Sequence, residues 1–161
     1  MRYKVVPEPR DVDFLADVQG AVPLVPGSVD DCCTRIRDRT PVASRDAARE
    51  WLTFLQALGL AEETARGYHR ARTEPDRDAI AESFVGNVFP AREVLDVLEK
   101  GRAQTATEVF EEVRDEIPRW ERERYADWEG EWHDRIERLL EWAVVFGLAE
   151  LNGDAYRRGT E

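Results

Sequence analysis

Lysine is nearly missing from this chain. Of 23 basic residues in 161, only Lys4 and Lys100 are lysines, and arginine supplies the rest. Cysteine is scarce too, and the two present, Cys32 and Cys33, are adjacent. Helix neighbours point about 100° apart and cannot readily be bridged. A disulfide framework is therefore excluded, and both read as small, partly buried thiols of a reducing compartment. With two histidines in all, no Cys/His set has zinc spacing. Glu129, His133 and Glu137 recur at i, i+4, i+8, but a single histidine among acids on a charged helix is a surface residue, so no metal or other cofactor is expected. No apolar run approaches the roughly 18 residues of a membrane span. The N-terminal MRYKVVPEPRD has neither an apolar stretch nor a small-residue cleavage site. The expected location is the cytoplasm, with no membrane partner. There is no Gly-rich phosphate loop, nucleophile elbow or Ser/His/Asp set, so no enzyme is expected.

Acid is what the chain has in excess. Asp and Glu number 34, giving a formal net charge of −11, while 42% hydrophobic residues suffice for a packed core. An acidic, lysine-poor globular chain has the composition of a protein from a salt-loving organism with a GC-rich genome; the plainer alternative is an acidic mesophilic protein kept soluble by its charge. In molar salt the Debye length is about 3 Å, so net negative charge would repel DNA only weakly, and the counterion-release gain from phosphate contacts shrinks as well. Net charge therefore argues neither against nucleic acid nor for it.

Apolar periodicity lays out the elements in order. RYKVV at 2–6 is a short strand candidate ended by Pro7 and Pro9. Asp11 or Asp13 caps a first helix running to about Gly20, with Phe14, Leu15, Val18 and Val22 inward. Ser28 caps a second, 29–39, with Val29, Cys32, Cys33 and Ile36 on one stripe, and Pro41 forces an exit. Ser44 caps a third, in which Ala48, Trp51, Leu52, Leu55 and Leu58 face inward and Gly59 supplies the stop. Residues 60–64 and 67–72 then form a hairpin around Ala65-Arg66-Gly67. The polar stretch 73–78 is a linker or cap, and 79–89 a connecting helix. A further helix at 91–99 stops at Gly101, and another after Thr105 or Thr107 ends at Pro118. Finally Tyr125, Trp128, Trp132, Ile136, Leu139, Ala143 and Phe146 form one helical stripe, predicted to run through Gly130 despite a cost of about 1 kcal/mol there.

The second half repeats the first. Gly-Leu-Ala-Glu closes a helix at 59–62 and again at 147–150, and the helix ends at Pro41 and Pro118 correspond. The first pair is 88 residues apart and the second 77, which leaves an insertion of 11 residues within 119–134. Residues 148–158 repeat the hairpin, turning at Asn152-Gly153-Asp154.

Three helices followed by an arginine-tipped hairpin, twice over, resemble the winged-helix-turn-helix superfamily in tandem. The expected fold is mainly α with small β-hairpins: a first unit at 11–73, a connector at 74–89, and a second unit at 90–161 that carries an aromatic helical arm at about 119–134. In DNA-reading winged helices the third helix enters the major groove and the wing reaches phosphate or minor groove. The resemblance thus implies nucleic-acid contact for Arg45 and Arg49 on the first unit's third helix, for Arg66, His69, Arg70 and Arg72 on its wing, and for Arg157 and Arg158 on the second wing. Glu137 and Glu141 depart from that pattern on the second unit's third helix. The plainer alternative for Arg45 and Arg49 is a solvated face with Arg–Glu pairs. Trp120, Tyr125, Trp128 and Trp132 form a candidate protein interface, or else pack inward. Two functions follow: a DNA-binding transcriptional regulator whose partner is double-stranded DNA, or a tandem winged-helix assembly module that binds protein, a second copy of itself included.

Overall fold

The computed structural model describes residues 3–72 and 76–159. Arg2 and the start of the polar stretch at 73–78 lie outside them. The chain divides into two compact units, Met1–Val88 and Phe89–Glu161.

In the first unit the starts of the first three helices are built by a side chain accepting a free backbone N–H. Asp11 accepts from Phe14 at 2.9 Å and opens α1 (Val12–Ala21). Ser28 accepts from Asp31 at 3.0 Å and opens α2 (Val29–Arg39). Ser44 accepts from Ala47 at 3.0 Å and opens α3 (Arg45–Ala57). The buried faces of these helices, with Leu15, Val18, Cys32, Cys33, Ile36, Leu52 and Leu55 nearly solvent-free, make the core, and Trp51 meets Phe14 edge-on at 5.2 Å. Gly59 takes a φ of 78°, which lets its N–H reach the Gln56 carbonyl while Leu60 N–H reaches that of Leu55. This glycine stop satisfies carbonyls the helix end would otherwise leave bare. β1 (Ala61–Thr64) and β2 (Gly67–Arg70) pair antiparallel, Ala61 opposite Arg70 and Thr64 opposite Gly67.

The wing is held down by a segment that sequence periodicity leaves as a loop. Gly27 and Tyr68 exchange both backbone hydrogen bonds, and Arg70 N–H donates to the Pro23 carbonyl at 2.7 Å. Residues 23–27 thus act as a third strand, interrupted because Pro23 and Pro26 have no N–H to donate. A Cβ on Gly67 would run into the Gly27 backbone. α4 (Arg77–Asn87) lies against α3, with Phe84 edge-on to Phe54 at 6.5 Å and Asn87 donating to the Ala57 carbonyl at 2.9 Å. The strand expected at 2–6 reduces, among the described residues, to a single parallel bridge between Tyr3 and Val88.

The second unit repeats the plan. α5 (Ala91–Leu98) precedes β3 (Gln104–Thr105), and Thr105 opens α6 (Ala106–Val113) with a reciprocal capping box to Glu108. A 3₁₀ turn (Arg114–Glu116) and Pro118 lead into the short α7 (Arg119–Arg124). α8 (Trp128–Val145) ends at Gly147, φ 75°, with the same pair of backbone bonds as Gly59. β4 (Ala149–Asn152) and β5 (Ala155–Arg158) form the wing, and β3 joins it in the order β3-β5-β4.

One expectation fails here. Tyr125 to Phe146 is not a single helix: Tyr125 is extended, and α8 begins only at Trp128. Asp127 sets the new start. Its carboxylate accepts Gly130 N–H at 3.2 Å and starts a new helix, and the missing side chain of Gly130 leaves room for that carboxylate.

Candidate nucleic-acid interface

Corresponding residues of the two units do the same structural work, and this decides which arginines are available to a ligand. His69 Nε2 lies 3.3 Å from Glu62 across the first wing, and Arg157 Nε lies 3.3 Å from Glu150 across the second. Both are cross-strand pairs of directly opposed residues. Arg70 donates to the Val22 and Gly20 carbonyls at the end of α1. Arg158, its equivalent, lies 3.8 Å from Glu99 at the end of α5 and 3.5 Å from the Leu148 carbonyl. A cation at a helix C-terminus is favourable, and these two tie each wing to the first helix of its unit. Arg45 is bonded to Asp30, which joins α3 to α2; the guanidinium holds the Asp30 carboxyl below its usual range.

Three of the nominated cations are exposed and make no ion pair or side-chain hydrogen bond with a described residue: Arg49, Arg66 and Arg72. Arg66 and Arg72 line a shallow groove at the wing with Leu24, Pro26, Thr64, Ala65 and His69. Arg49 lies exposed on α3, one turn after Arg45. Its charge acts on Asp30 and Cys33 of α2 and on the Tyr68 hydroxyl of β2. Tyr68 is nonetheless pushed up, chiefly by desolvation and then by Glu63. Sequence reasoning missed Arg37 and Arg39 in the last turn of α2, exposed and equally without a partner among the described residues. The Arg37 charge also acts on the Cys33 thiol, as those of Arg45 and Arg49 do. The available signal was the i, i+4 spacing from Cys33 to Arg37, which carries Arg37 to the α3 side of α2. Burial raises the pKa of both thiols, and the Cys32 Sγ faces the Gly27 carbonyl.

The second unit distributes its cations differently. Arg92 apart, each of its described arginines and its lysine takes part in an interaction within the protein, as in Lys100–Glu112 and Arg119–Glu123. The first unit carries 12 basic against 15 acidic residues, a net of −3, and the second 11 against 19, a net of −8.

The proposed aromatic interface needs correcting. Trp132 is fully buried in its own unit, edge-on to Phe89 at 5.9 Å and under the Arg135 guanidinium at 4.7 Å, and it presents no surface. Trp128 is half-buried between the guanidinium groups of Arg114 and Arg122, 5.3 and 5.2 Å from its ring. Tyr125 accepts a hydrogen bond from Arg135 at 2.7 Å, and Arg135 also faces the buried Glu121. These residues fasten α7 to α8. Trp120, 55% exposed, is the one of the four that stands out from the surface.

Among the described residues no helix is long and apolar enough to cross a membrane, and no three potential ligands gather around a metal-sized space. Each unit runs through a helix, an extended segment that bonds to the wing, two further helices and a two-stranded wing, with α4 added after the first wing and α7 inserted in the second unit, which makes the protein a tandem winged helix. It belongs to the halobacterial double winged helix domain family, whose model matches residues 1–161. No curated protein and no solved structure matches the chain.

Proposed function

We propose that the protein is a cytoplasmic, non-enzymatic DNA-binding regulator of transcription whose first unit engages double-stranded DNA. The observation that carries this is the set of uncommitted arginines on one unit: Arg37 on α2, Arg49 on α3, Arg66 and Arg72 on the wing. They occupy the elements that face the duplex in DNA-reading winged helices. Cations with no internal partner are the groups free to replace phosphate counterions. The test is a fluorescence-anisotropy titration of labelled genomic duplexes over a range of salt. Arg49→Ala with Arg66→Ala should weaken binding at least tenfold at low salt and flatten the dependence of log K on log salt by about 2, at roughly 0.9 per phosphate contact. Unchanged affinity would remove this face from consideration.

A second reading, an assembly module that binds protein and not DNA, is favoured by one observation. Trp120 stands exposed on α7, an element the first unit lacks. Exposed tryptophans anchor protein interfaces. If no duplex binds, sedimentation and pull-down comparisons of wild type with Trp120→Ala test that reading, and a second copy of the chain is one of the partners to look for.

A further inference from the structure

The two units can be compared position by position because their internal bonds coincide. From α3 to the end of the wing, a shift of 88 residues carries Gly59 onto Gly147, Tyr68 onto Tyr156 and the Glu62–His69 pair onto Glu150–Arg157. A shift of 77 carries the Ser28 cap of α2 onto the Thr105 cap of α6. Both shifts at once carry the Arg45–Asp30 contact onto a hydrogen-bond contact between His133 Nε2 and Thr107 at 3.0 Å. The superposition is therefore fixed by contacts and not only by sequence.

On that common frame three uncommitted cations of the first unit, Arg39, Arg49 and Arg66, fall on acids in the second. Arg49 becomes Glu137, and Arg66 at the wing tip becomes Asp154. Thr53, one turn beyond Arg49, becomes Glu141. Arg39 becomes Glu116, and Arg37 becomes Arg114, which is already bonded to Glu111 and Glu129. Glu137 holds on α8 the place of Arg49 on α3, one turn beyond His133 as Arg49 is one turn beyond Arg45. Glu137 and Asp154 are exposed and have no partner among the described residues. They are not half of an ion pair that would explain them.

We infer that the second unit is a charge-inverted copy whose reading face is kept off DNA by Glu137 and Asp154, so that each chain engages a duplex through one winged helix only. The inference rests on DNA binding by the first unit and goes beyond it. It assigns to two acids the selection of which copy binds, on a scaffold otherwise equivalent to the binding one.

The test restores the first unit's pattern in the second. E137R/D154R in the full chain should bind duplex more tightly and steepen the salt dependence of log K by about 1 to 2, as one or two new phosphate contacts form. A charge-matched control, D96R/E82R, changes net charge equally at exposed positions outside the equivalent face and should leave the slope within error of wild type. Circular dichroism checks that both variants fold. The reciprocal R49E/R66D in the first unit should abolish binding by the otherwise wild-type chain. A wild type that binds, loses binding in R49E/R66D and shows no response to E137R/D154R beyond the control overturns this inference alone. A wild type that binds no duplex overturns the reading of the first unit, and this one with it.

Discussion

Arg66 and Arg70 lie four residues apart on one hairpin and differ in kind. Arg66 points into solvent, while Arg70 bonds two main-chain carbonyls at the end of α1. Arg70→Ala should therefore lower the stability of the chain by about 1–2 kcal/mol, the usual worth of charged hydrogen bonds lost, whereas Arg66→Ala should leave the urea midpoint unchanged and affect only ligand binding. Chemical denaturation of the two variants separates the roles; equal stabilities would mean that the carbonyl anchor does nothing in solution. Gly67 is the most constrained glycine of the first wing. It combines a φ of 128° with direct contact on the Gly27 backbone. Gly67→Ala should cost about 2–3 kcal/mol by adding a clash to a strained dihedral, more than Gly59→Ala, where φ is 78° and the nearest atom to an added Cβ is 3.8 Å away. Asp30 titrates with a sign that can be worked out. Its folded pKa is lowered, mainly by the hydrogen bond from Arg45. The stability it contributes is thus present above the unfolded value of about 3.9 and disappears as pH falls through the folded one. Asp30→Asn should remove that acid limb from a pH series of unfolding midpoints.

At the scale of elements, the start of α8 shows how two residues combine. Gly130→Ala in a helix interior ordinarily stabilises by about 1 kcal/mol. Here the new methyl would meet the Asp127 carboxylate that caps the helix, so the substitution should destabilise instead. Asp127→Ala alone should cost about 1 kcal/mol as the cap is lost. In the double variant alanine at 130 becomes harmless, so a double-mutant cycle should give a coupling of opposite sign to the Gly130→Ala effect; additivity would show that the two residues do not touch. This pair also marks where sequence periodicity stops being informative. The apolar stripe from Trp132 to Phe146 is one buried face as its spacing requires, but no stripe can report that a carboxylate at 127 starts a new helix after the chain has left the previous one. The caps at Ser28, Ser44 and Thr105 and the glycine stops were legible because each is a local device with a fixed residue type. The third strand of each wing was not. Residues 23–27 are broken by two prolines, and β3 spans only Gln104–Thr105, so neither has a period to detect. The candidate site was half legible for a similar reason. Residue type shows that His69, Arg70, Arg157 and Arg158 are basic and sit on a wing; only the fold shows that all four are engaged, and that Arg37 and Arg39 are not.

For the whole molecule the governing quantity is charge. The net −11 is spread unequally, −3 on the first unit and −8 on the second. Self-repulsion of that size opposes compaction, and salt screens it: the Debye length falls from about 10 Å at 0.1 M to about 3 Å at 1 M. Phosphate contacts respond to the same variable in the opposite direction, because the release of counterions from DNA drives less as bulk salt rises. Stability should therefore climb with added potassium chloride over the range in which affinity for DNA declines. The partly buried first-unit contacts, such as Arg70 with the Val22 carbonyl, are screened least and hold the wing in place across that range. The measurement is a pair of curves on one preparation, thermal midpoint and duplex Kd, each between 0.1 and about 3 M salt. Isolated gain in stability with no fall in affinity would mean that binding does not run through Arg49, Arg66 and Arg72 as phosphate contacts. A midpoint that falls with salt would mean that specific ion pairs outweigh repulsion in holding the chain folded, against the excess of acid over base on the second unit.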